Sequence, residues 1–122
     1  MIEEQIHRAV VDYLAVALPL GSVVHHSPNE GRHKVQYRVK QTRRGVRAGW
    51  PDIEIFVNRT WWHREVAWSP LFLEVKTPTG RLSNSQRQVR QELIESGCRV
   101  GVVHSINEAR DFLKNYVELR GA

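Results

Sequence analysis

Two stretches of the sequence decide the fold: GWPDIEIF at residues 49–56 and LFLEVKTPTGRLSNSQ at residues 71–86. Residues 52–57 alternate apolar and polar side chains and are rich in β-forming residues, which predicts a strand. Residues 71–76 predict a second strand, and their alternation places Glu74 and Lys76 on the same face. We therefore expect two neighbouring strands that both carry charged groups.

Asp52, Glu74 and Lys76 supply two carboxylates and one ammonium. Strands that pair about 4.8 Å apart would bring both carboxylates to one cation. A hard cation such as Mg²⁺ takes one or two carboxylates and keeps several waters, and the Val75 carbonyl is a further oxygen ligand. One such water can attack a phosphodiester. Each motif taken alone also has a structural explanation. Pro-Asp is common in turns, and Glu-x-Lys is common on a strand face exposed to solvent.

A first helix is predicted over residues 2–17, where apolar side chains recur at helical spacing. Glu3 falls within the apolar stripe of this helix, whereas Glu4 points away from it. An acid in such a stripe is costly to bury unless it meets a cation or a donor, so we expect Glu3 to serve the metal site directly or through water. The alternative is a frayed first turn, where an acid also favours the helix dipole.

The helices and the strand in the second half of the chain are predicted from residues that begin and end helices. Ser83 and Gln86 form a capping box for a helix that stops at Gly97, with Val89, Leu93 and Ile94 expected to point inward. Residues 98–103 predict a buried strand. Ser105 and Glu108 repeat the capping box before a last helix, whose expected inner residues are Ala109, Phe112, Leu113 and Tyr116. The strand–helix–strand order implies at least one parallel pair. Short strands are also expected at residues 23–26 and 35–39.

Composition indicates one soluble domain spanning residues 1–122. A single cysteine excludes an internal disulfide, and no apolar run reaches membrane-spanning length. The N-terminus does not resemble a secretory signal. We therefore expect a cytoplasmic protein, with no membrane partner and no organic cofactor.

The net charge is +5, and its excess is concentrated between Gly31 and Pro51, where no acid occurs. Such a block is typical of a surface that binds a polyanion, although a solvated loop is the plainer alternative. Its position directly before Asp52 favours nucleic acid. The predicted phosphate-binding residues here are Arg32, Lys34, Arg38, Lys40, Arg43, Arg44 and Arg47.

The link NRTWWHREVAWSP at residues 58–70 suits an extended hairpin or a flap. Trp61, Trp62 and Trp68 are expensive to expose, so we expect them to cover the core or a dimer partner, with stacking on splayed bases as the second choice. His25 and His26 would point to opposite faces of a strand and are poor partners for one zinc ion.

The segments GWPDIEIF and LFLEVKTPTGRLSNSQ resemble the virus-type replication–repair nuclease (VRR-NUC) family of the PD-(D/E)xK superfamily, in its compact stand-alone phage and bacterial form. The resemblance extends from the Glu3 helix through HSPNEGR to the strand GCRVGVVHS. It implies a restriction-endonuclease-like α/β core in which a mixed central sheet is flanked by helices. It also implies that Mg²⁺, or Mn²⁺ in its place, supports DNA cleavage.

Residue roles carried over from the family fall on matching positions. Asp52 corresponds to the family's PD acid, Glu74 and Lys76 to its Glu-x-Lys, and Glu3, or else its neighbour Glu4, to the acid of its first helix. Gln86 matches a position that supports the site or contacts the backbone. In the HSPNEGR loop, Asn29, Glu30 and Arg32 are only candidates. We add Arg81 and Arg87 to the residues expected to grip phosphates.

The resemblance implies a homodimer that resolves four-way (Holliday) junctions by phosphodiester hydrolysis, in DNA repair or recombination. The first alternative is a nuclease for flap, nicked or duplex DNA. The second is a DNA-binding module without catalysis, which an intact set of Asp52, Glu74 and Lys76 argues against.

Overall fold

A computed structural model of the protein describes residues 2–27, 45 and 47–121. The elements within these residues are α1 (Glu3–Ala17), β1 (Val23–His26), β2 (Ile53–Phe56), β3 (Leu71–Val75), α2 (Asn84–Glu95), β4 (Arg99–Val103) and α3 (Ile106–Lys114). The strand expected at residues 35–39 lies outside the described residues. None of the described helices is long and apolar enough to cross a membrane.

The described strands form one mixed sheet in the order β1-β2-β3-β4. β2 runs antiparallel to both β1 and β3, whereas β3 and β4 are parallel. Helix α2 makes the crossover between the two parallel strands, as the strand–helix–strand order predicts. The mixed α/β fold expected from the sequence is therefore confirmed.

The main core lies between one face of the sheet and the helices α1 and α3. Ile6, Val10 and Leu14 line the inner side of α1, as its helical periodicity predicts. They pack with alternate residues of the central strands, among them Ile53 and Leu73, which are fully buried. Every residue of β3 is buried, so helices or loops cover both faces of this strand. A charged side chain on β3 is consequently removed from water.

The ends of α2 form as predicted, but one inward assignment is wrong. Ser83 and Gln86 make the full capping box, and Gly97 follows the helix with a φ of 96°. Val89 is buried, whereas Ile94 is 39% exposed. Five residues at about 100° each separate the two by roughly 140°, so both cannot face the sheet.

The capping box predicted for α3 is half formed. The Ser105 hydroxyl accepts a hydrogen bond from the Glu108 backbone N–H. The Glu108 carboxylate accepts from the backbone and ring of His104 instead of returning to Ser105.

The link at residues 58–70 is neither an extended hairpin nor a flap, so that expectation is wrong. It contains a 3₁₀ turn at Arg59–Trp61, and Trp62 forms an isolated bridge with Val117 near the C-terminus. Trp62 is only 5% exposed and belongs to the core, which confirms the core-cover interpretation for this residue. The indole N–H groups of Trp62 and Trp68 both donate to the Val57 carbonyl, at 2.9 and 2.7 Å.

Gly101 in β4 lies against the ring of Phe112 in α3. A Cβ atom added at Gly101 would stand 2.7 Å from Phe112 Cδ1. We expect Gly101→Ala to lower the free energy of unfolding by about 1–3 kcal/mol, because overpacking forces strained side chains. Urea unfolding of Gly101→Ala, Phe112→Leu and the double variant forms a double-mutant cycle. If the alanine costs the same in the Phe112→Leu background as in the native protein, the close packing is not the cause.

Candidate active site

The register of β2 and β3 brings Asp52 and Glu74 together. Ile53 pairs with Leu73 in this antiparallel ladder, so the next position places Asp52 opposite Glu74. Opposed residues on antiparallel strands share a face, with Cβ atoms about 4.5–5.5 Å apart. Asp52 Oδ2 also accepts a hydrogen bond of 2.7 Å from the Val75 N–H. The two predicted carboxylates therefore lie side by side on rigid strands.

Glu74 is held by the first turn of α2. Its side chain is only 3% exposed, and Gln86 Nε2 donates to Glu74 Oε1 at 2.9 Å. Gln86 Oε1 in turn accepts from the Ser83 N–H at 2.8 Å. The capping box that starts the helix thus fixes the amide orientation that presents a donor to Glu74. The sequence indicated both roles of Gln86 separately, and the structure joins them.

The electrostatics of the site centre on Glu74. The pKa of Glu74 is raised to about 9, mainly by burial and further by the charge and hydrogen bond of Asp52. The positive charge of Lys76 lowers this pKa, and the negative charge of Glu3 raises it further. Each of these predicted site residues is therefore close enough to Glu74 to influence its ionisation.

Glu3 is exposed, so the expectation that it faces inward at a cost of burial is wrong. The first buried position of α1 is Ile6, and the residue before the helix, Ile2, is 60% exposed. The first turn therefore meets solvent even on the side of the apolar stripe. Glu4, the alternative acid, is 77% exposed at its side chain and pairs with Arg8 at 3.6 Å. Of the two acids, only the charge of Glu3 is among the influences on Glu74.

The side chains at this site fit a hard divalent cation. Two adjacent carboxylates that repel each other, one of them buried, are stabilised when a cation neutralises them. Among the described residues, however, no cluster of three or more His, Cys, Asp or Glu side chains has the geometry of a metal site. The ligands expected from the sequence, Asp52, Glu74 and the Val75 carbonyl with Glu3 assisting, would therefore need water to complete the coordination.

The side chains of His25 and His26 point in different directions, as expected. His25 Nδ1 is 2.9 Å from Glu54 Oε1, on the neighbouring strand. The His26 ring instead packs edge-on against His7 of α1, with ring centroids 4.7 Å apart. The two neighbours thus contact different elements of the fold.

The predicted phosphate-binding residues are only partly within the described chain. Arg32, Lys34, Arg38, Lys40, Arg43 and Arg44 lie outside it, as do the loop candidates Asn29 and Glu30. Arg81 and Arg87 are exposed. Arg47 makes a bidentate contact with Glu92 of α2, at 2.9 and 2.7 Å, and this carboxylate competes with any phosphate for its guanidinium.

Gly49 has a positioning role that sequence reasoning missed. Its φ is +85°, and a Cβ atom would stand 2.5 Å from the backbone carbon of Ser85 in the first turn of α2. Only glycine allows the backbone to approach this closely with that φ. Trp50 then packs edge-on against Phe72, at 5.7 Å between centroids. The segment that leads to Asp52 is therefore docked on the same helix turn that holds Glu74. A glycine directly before Trp-Pro-Asp was the only sequence signal.

Comparison with known proteins identifies the family of this chain. The VRR-NUC domain family model matches residues 4–107. The chain therefore belongs to the VRR-NUC family, whose members are nucleases of the PD-(D/E)xK type. The resemblance read from the sequence is confirmed.

Two solved structures have a similar fold. One, described as a VRR_NUC domain protein, has a TM-score of 0.74 and 22% identity, covering 95% of this chain and 88% of the other. The second, described as a VRR_NUC domain, has a TM-score of 0.59 and 19% identity, covering 93% and 96%. A comparison with curated proteins gave no match.

The raised pKa of Glu74 predicts a pH dependence of stability in metal-free protein. Between the ordinary value of 4.5 and about 9, the folded state keeps a proton that the unfolded state has released. Stability from this group is therefore complete below pH 4.5 and is lost as the pH rises towards 9, by at most about 1.4 kcal/mol per pH unit. We expect Glu74→Gln to be more stable than the native protein at about pH 8 and to show a flatter profile.

Urea unfolding in EDTA at several pH values between about 5 and 9 measures this effect. A glutamine at position 74 can donate to Asp52 and still accept from Gln86, so no partner is lost. The exposed Glu95→Gln variant is the control for removing a charge. Parallel pH profiles for the native protein and Glu74→Gln would contradict the assignment.

The Gln86–Glu74 hydrogen bond predicts a separation of activity from stability. We expect Gln86→Ala to slow DNA cleavage by roughly 10–100-fold, the usual effect of losing a group that orients a metal ligand. Ser83→Ala removes the N-cap hydroxyl but keeps the Gln86–Glu74 contact, so it should cost about 1 kcal/mol of stability and little activity. Cleavage rates and thermal midpoints measure both effects. Equal loss of activity in the two variants would mean that Gln86 acts only through the helix.

Proposed function

We propose that this chain is a Mg²⁺-dependent, structure-specific DNA endonuclease that resolves four-way junctions as a homodimer. The observation that carries the cleavage chemistry is the buried Glu74 opposite Asp52. A carboxylate with a pKa of about 9 is costly to ionise in the metal-free protein, and such sites are typically functional. The substrate and the dimer rest on the family resemblance and on the geometry of the reaction.

Asp52, Glu74 and the Val75 carbonyl would hold the cation, with Glu3 assisting a second cation or a water. Mn²⁺ is expected to substitute for Mg²⁺, because both accept oxygen ligands. When bound, the cation neutralises charge on the phosphate and lowers the pKa of a water. Gln86 keeps Glu74 oriented for this task through its 2.9 Å hydrogen bond.

Lys76 would position the attacking water or, as a neutral amine, help to remove its proton. The residue follows β3 directly, is partly buried, and its charge acts on Glu74. The water oxygen bonds to phosphorus while the bond from phosphorus to the 3′ oxygen breaks. This hydrolysis leaves a 5′-phosphate and a 3′-hydroxyl. The ammonium also stabilises the negative charge that develops on the phosphate oxygens.

DNA binding would combine the basic residues before Asp52 with Arg81, which precedes α2, and Arg87 within α2. Each phosphate contact releases counterions, so binding and cleavage should weaken with salt. A four-way junction needs two symmetric nicks, which a two-fold dimer with two active sites can make. Trp61 and Trp68 remain 40% and 44% exposed and are candidates for the dimer contact. The setting would be the cytoplasm of a bacterial or phage-infected cell.

The first alternative is a nuclease for flap, nicked or duplex DNA, which uses the same chemistry and differs only in substrate geometry. A DNA-binding module without catalysis is the second alternative. It is disfavoured because a pure binder gains nothing from two adjacent carboxyl groups, one of them buried, whose negative charge would repel DNA.

The central prediction is that Lys76→Ala cleaves at least about 100-fold more slowly than the native protein, because it loses the group that positions the water or helps to deprotonate it. Cleavage of four-way, flap, duplex and single-stranded DNA is measured with Mg²⁺, Mn²⁺ or EDTA. Lys114→Ala is the matched control, since this lysine is exposed at the end of α3. Light scattering reports whether the protein is a dimer.

Paired nicks on the four-way substrate alone, absent in EDTA and in Lys76→Ala, support the whole proposal. Equal cutting of plain duplex would remove the junction specificity while leaving the nuclease chemistry intact. No cleavage of any DNA would overturn the proposal.

A further inference from the structure

Helix α2 has two flanks. One contacts the chain that leads to Asp52, and the other carries two arginines. At about 100° per residue, Ser85 and Glu92 share one flank. This is the flank on which the chain from Arg47 to Gly49 docks, through the ion pair to Glu92 and the close approach to Ser85. Arg87 and Arg90 are three residues apart and lie about 60° from each other on the other flank. Glu92 therefore does not meet Arg87 or Arg90.

Arg90 is partly buried, and one of its hydrogen-bond donors has no acceptor among the described residues. Its Nε atom is shielded from solvent and has no hydrogen-bond partner among the described residues. In the part of the chain that the structure describes, no ion pair includes Arg90, and the nearby carboxylate of Glu92 is engaged by Arg47. A shielded donor without a partner costs free energy that a typical fold avoids. Such a group requires an explanation.

Arg87 adds a second cation to the same flank. Its only described contact is a long one of 3.5 Å to Asn84 Oδ1 at the start of the helix. Like charges three or four residues apart destabilise a helix. Two such features on one flank, each unfavourable for folding, are typical of a site whose counter-charge comes from a ligand.

The position of this flank indicates the ligand. Gln86, whose amide contacts Glu74, precedes Arg90 by one helical turn, and side chains four residues apart stand about 5–6 Å from each other. A planar guanidinium with several donors suits a phosphate group. We propose that Arg90, together with Arg87, binds a DNA phosphate that flanks the scissile one. This inference rests on the proposed function, which supplies the phosphodiester backbone at Glu74.

The proposal separates binding from folding. Arg90→Met keeps much of the side-chain volume and removes the unpartnered donor, so the thermal midpoint should stay the same or rise. Affinity for DNA should fall roughly tenfold, the effect of losing one hydrogen-bonded charge contact. The plot of log affinity against log salt should become less steep by about 0.9. Arg90→Lys should recover part of the affinity, because it keeps the charge without the planar fork.

The experiment measures fluorescence anisotropy of labelled four-way and duplex DNA in EDTA over a range of NaCl concentrations, with melting curves of every variant. Arg64→Met is the matched control, because this exposed arginine lies in the link at residues 58–70, at the end of β2 and β3 away from Asp52 and Glu74. It removes the same charge and should leave affinity nearly unchanged. Cleavage with Mg²⁺ is followed in parallel for the native protein.

Several outcomes would overturn the phosphate site. If Arg90→Met binds DNA as well as the native protein, which still cleaves, the site fails while the nuclease proposal stands. If Arg90→Met melts at a lower temperature and Arg90→Lys recovers no affinity, the arginine has only a packing role. An equal loss in Arg64→Met would indicate a general charge effect. A native protein that neither binds nor cleaves DNA would overturn both proposals.

Discussion

The burial of Glu74 opposite Asp52 is the constraint on which the arrangement of the site depends. Two carboxylates on neighbouring strands repel each other, and removal of one from water adds to that cost. The Val75 N–H, the Gln86 amide and the Lys76 charge each offset part of it. In metal-free protein Glu74 avoids the remaining repulsion by keeping a proton up to its pKa of about 9, and a cation could take the place of that proton. An unfavourable electrostatic contribution to folding, confined to one group of residues, is typical of a functional site.

The rigidity of the sheet makes this arrangement possible. Asp52 and Glu74 belong to an antiparallel pair inside the sheet, and the parallel strand β4 supports β3 from the other side. The opposite end of β2 and β3 is closed by the link at residues 58–70. There the guanidinium of Arg99 lies over the rings of Trp62 and Tyr116, at 5.6 and 4.9 Å from their centroids. Aromatic packing therefore closes the end of these strands that lies away from Asp52 and Glu74.

Helix α2 connects the two halves of the site. Its first turn holds Glu74 through Gln86 and receives Gly49 against the backbone of Ser85. A displacement of this turn would move the supports of both carboxylates together. Membership of the VRR-NUC family accounts for a nuclease with such a site, but a fold does not by itself define the substrate. Substrate choice depends on phosphate contacts beyond the two acids and on how two copies of the chain would be arranged.

The sequence by itself determined the features that depend on local periodicity and spacing. Alternation along β2 and β3, the Ser83–Gln86 capping box and the crossover to β4 all follow from neighbouring residues, and so does the choice of Asp52, Glu74 and Lys76 as candidates. Only the tertiary structure decided which residues each helix, strand or loop contacts. It showed that Glu3 is exposed, that Val89 and not Ile94 faces the core, that the tryptophan link packs on the C-terminal segment, and that Arg90 Nε has no partner among the described residues. These facts depend on contacts between residues far apart in the chain, which no local pattern encodes.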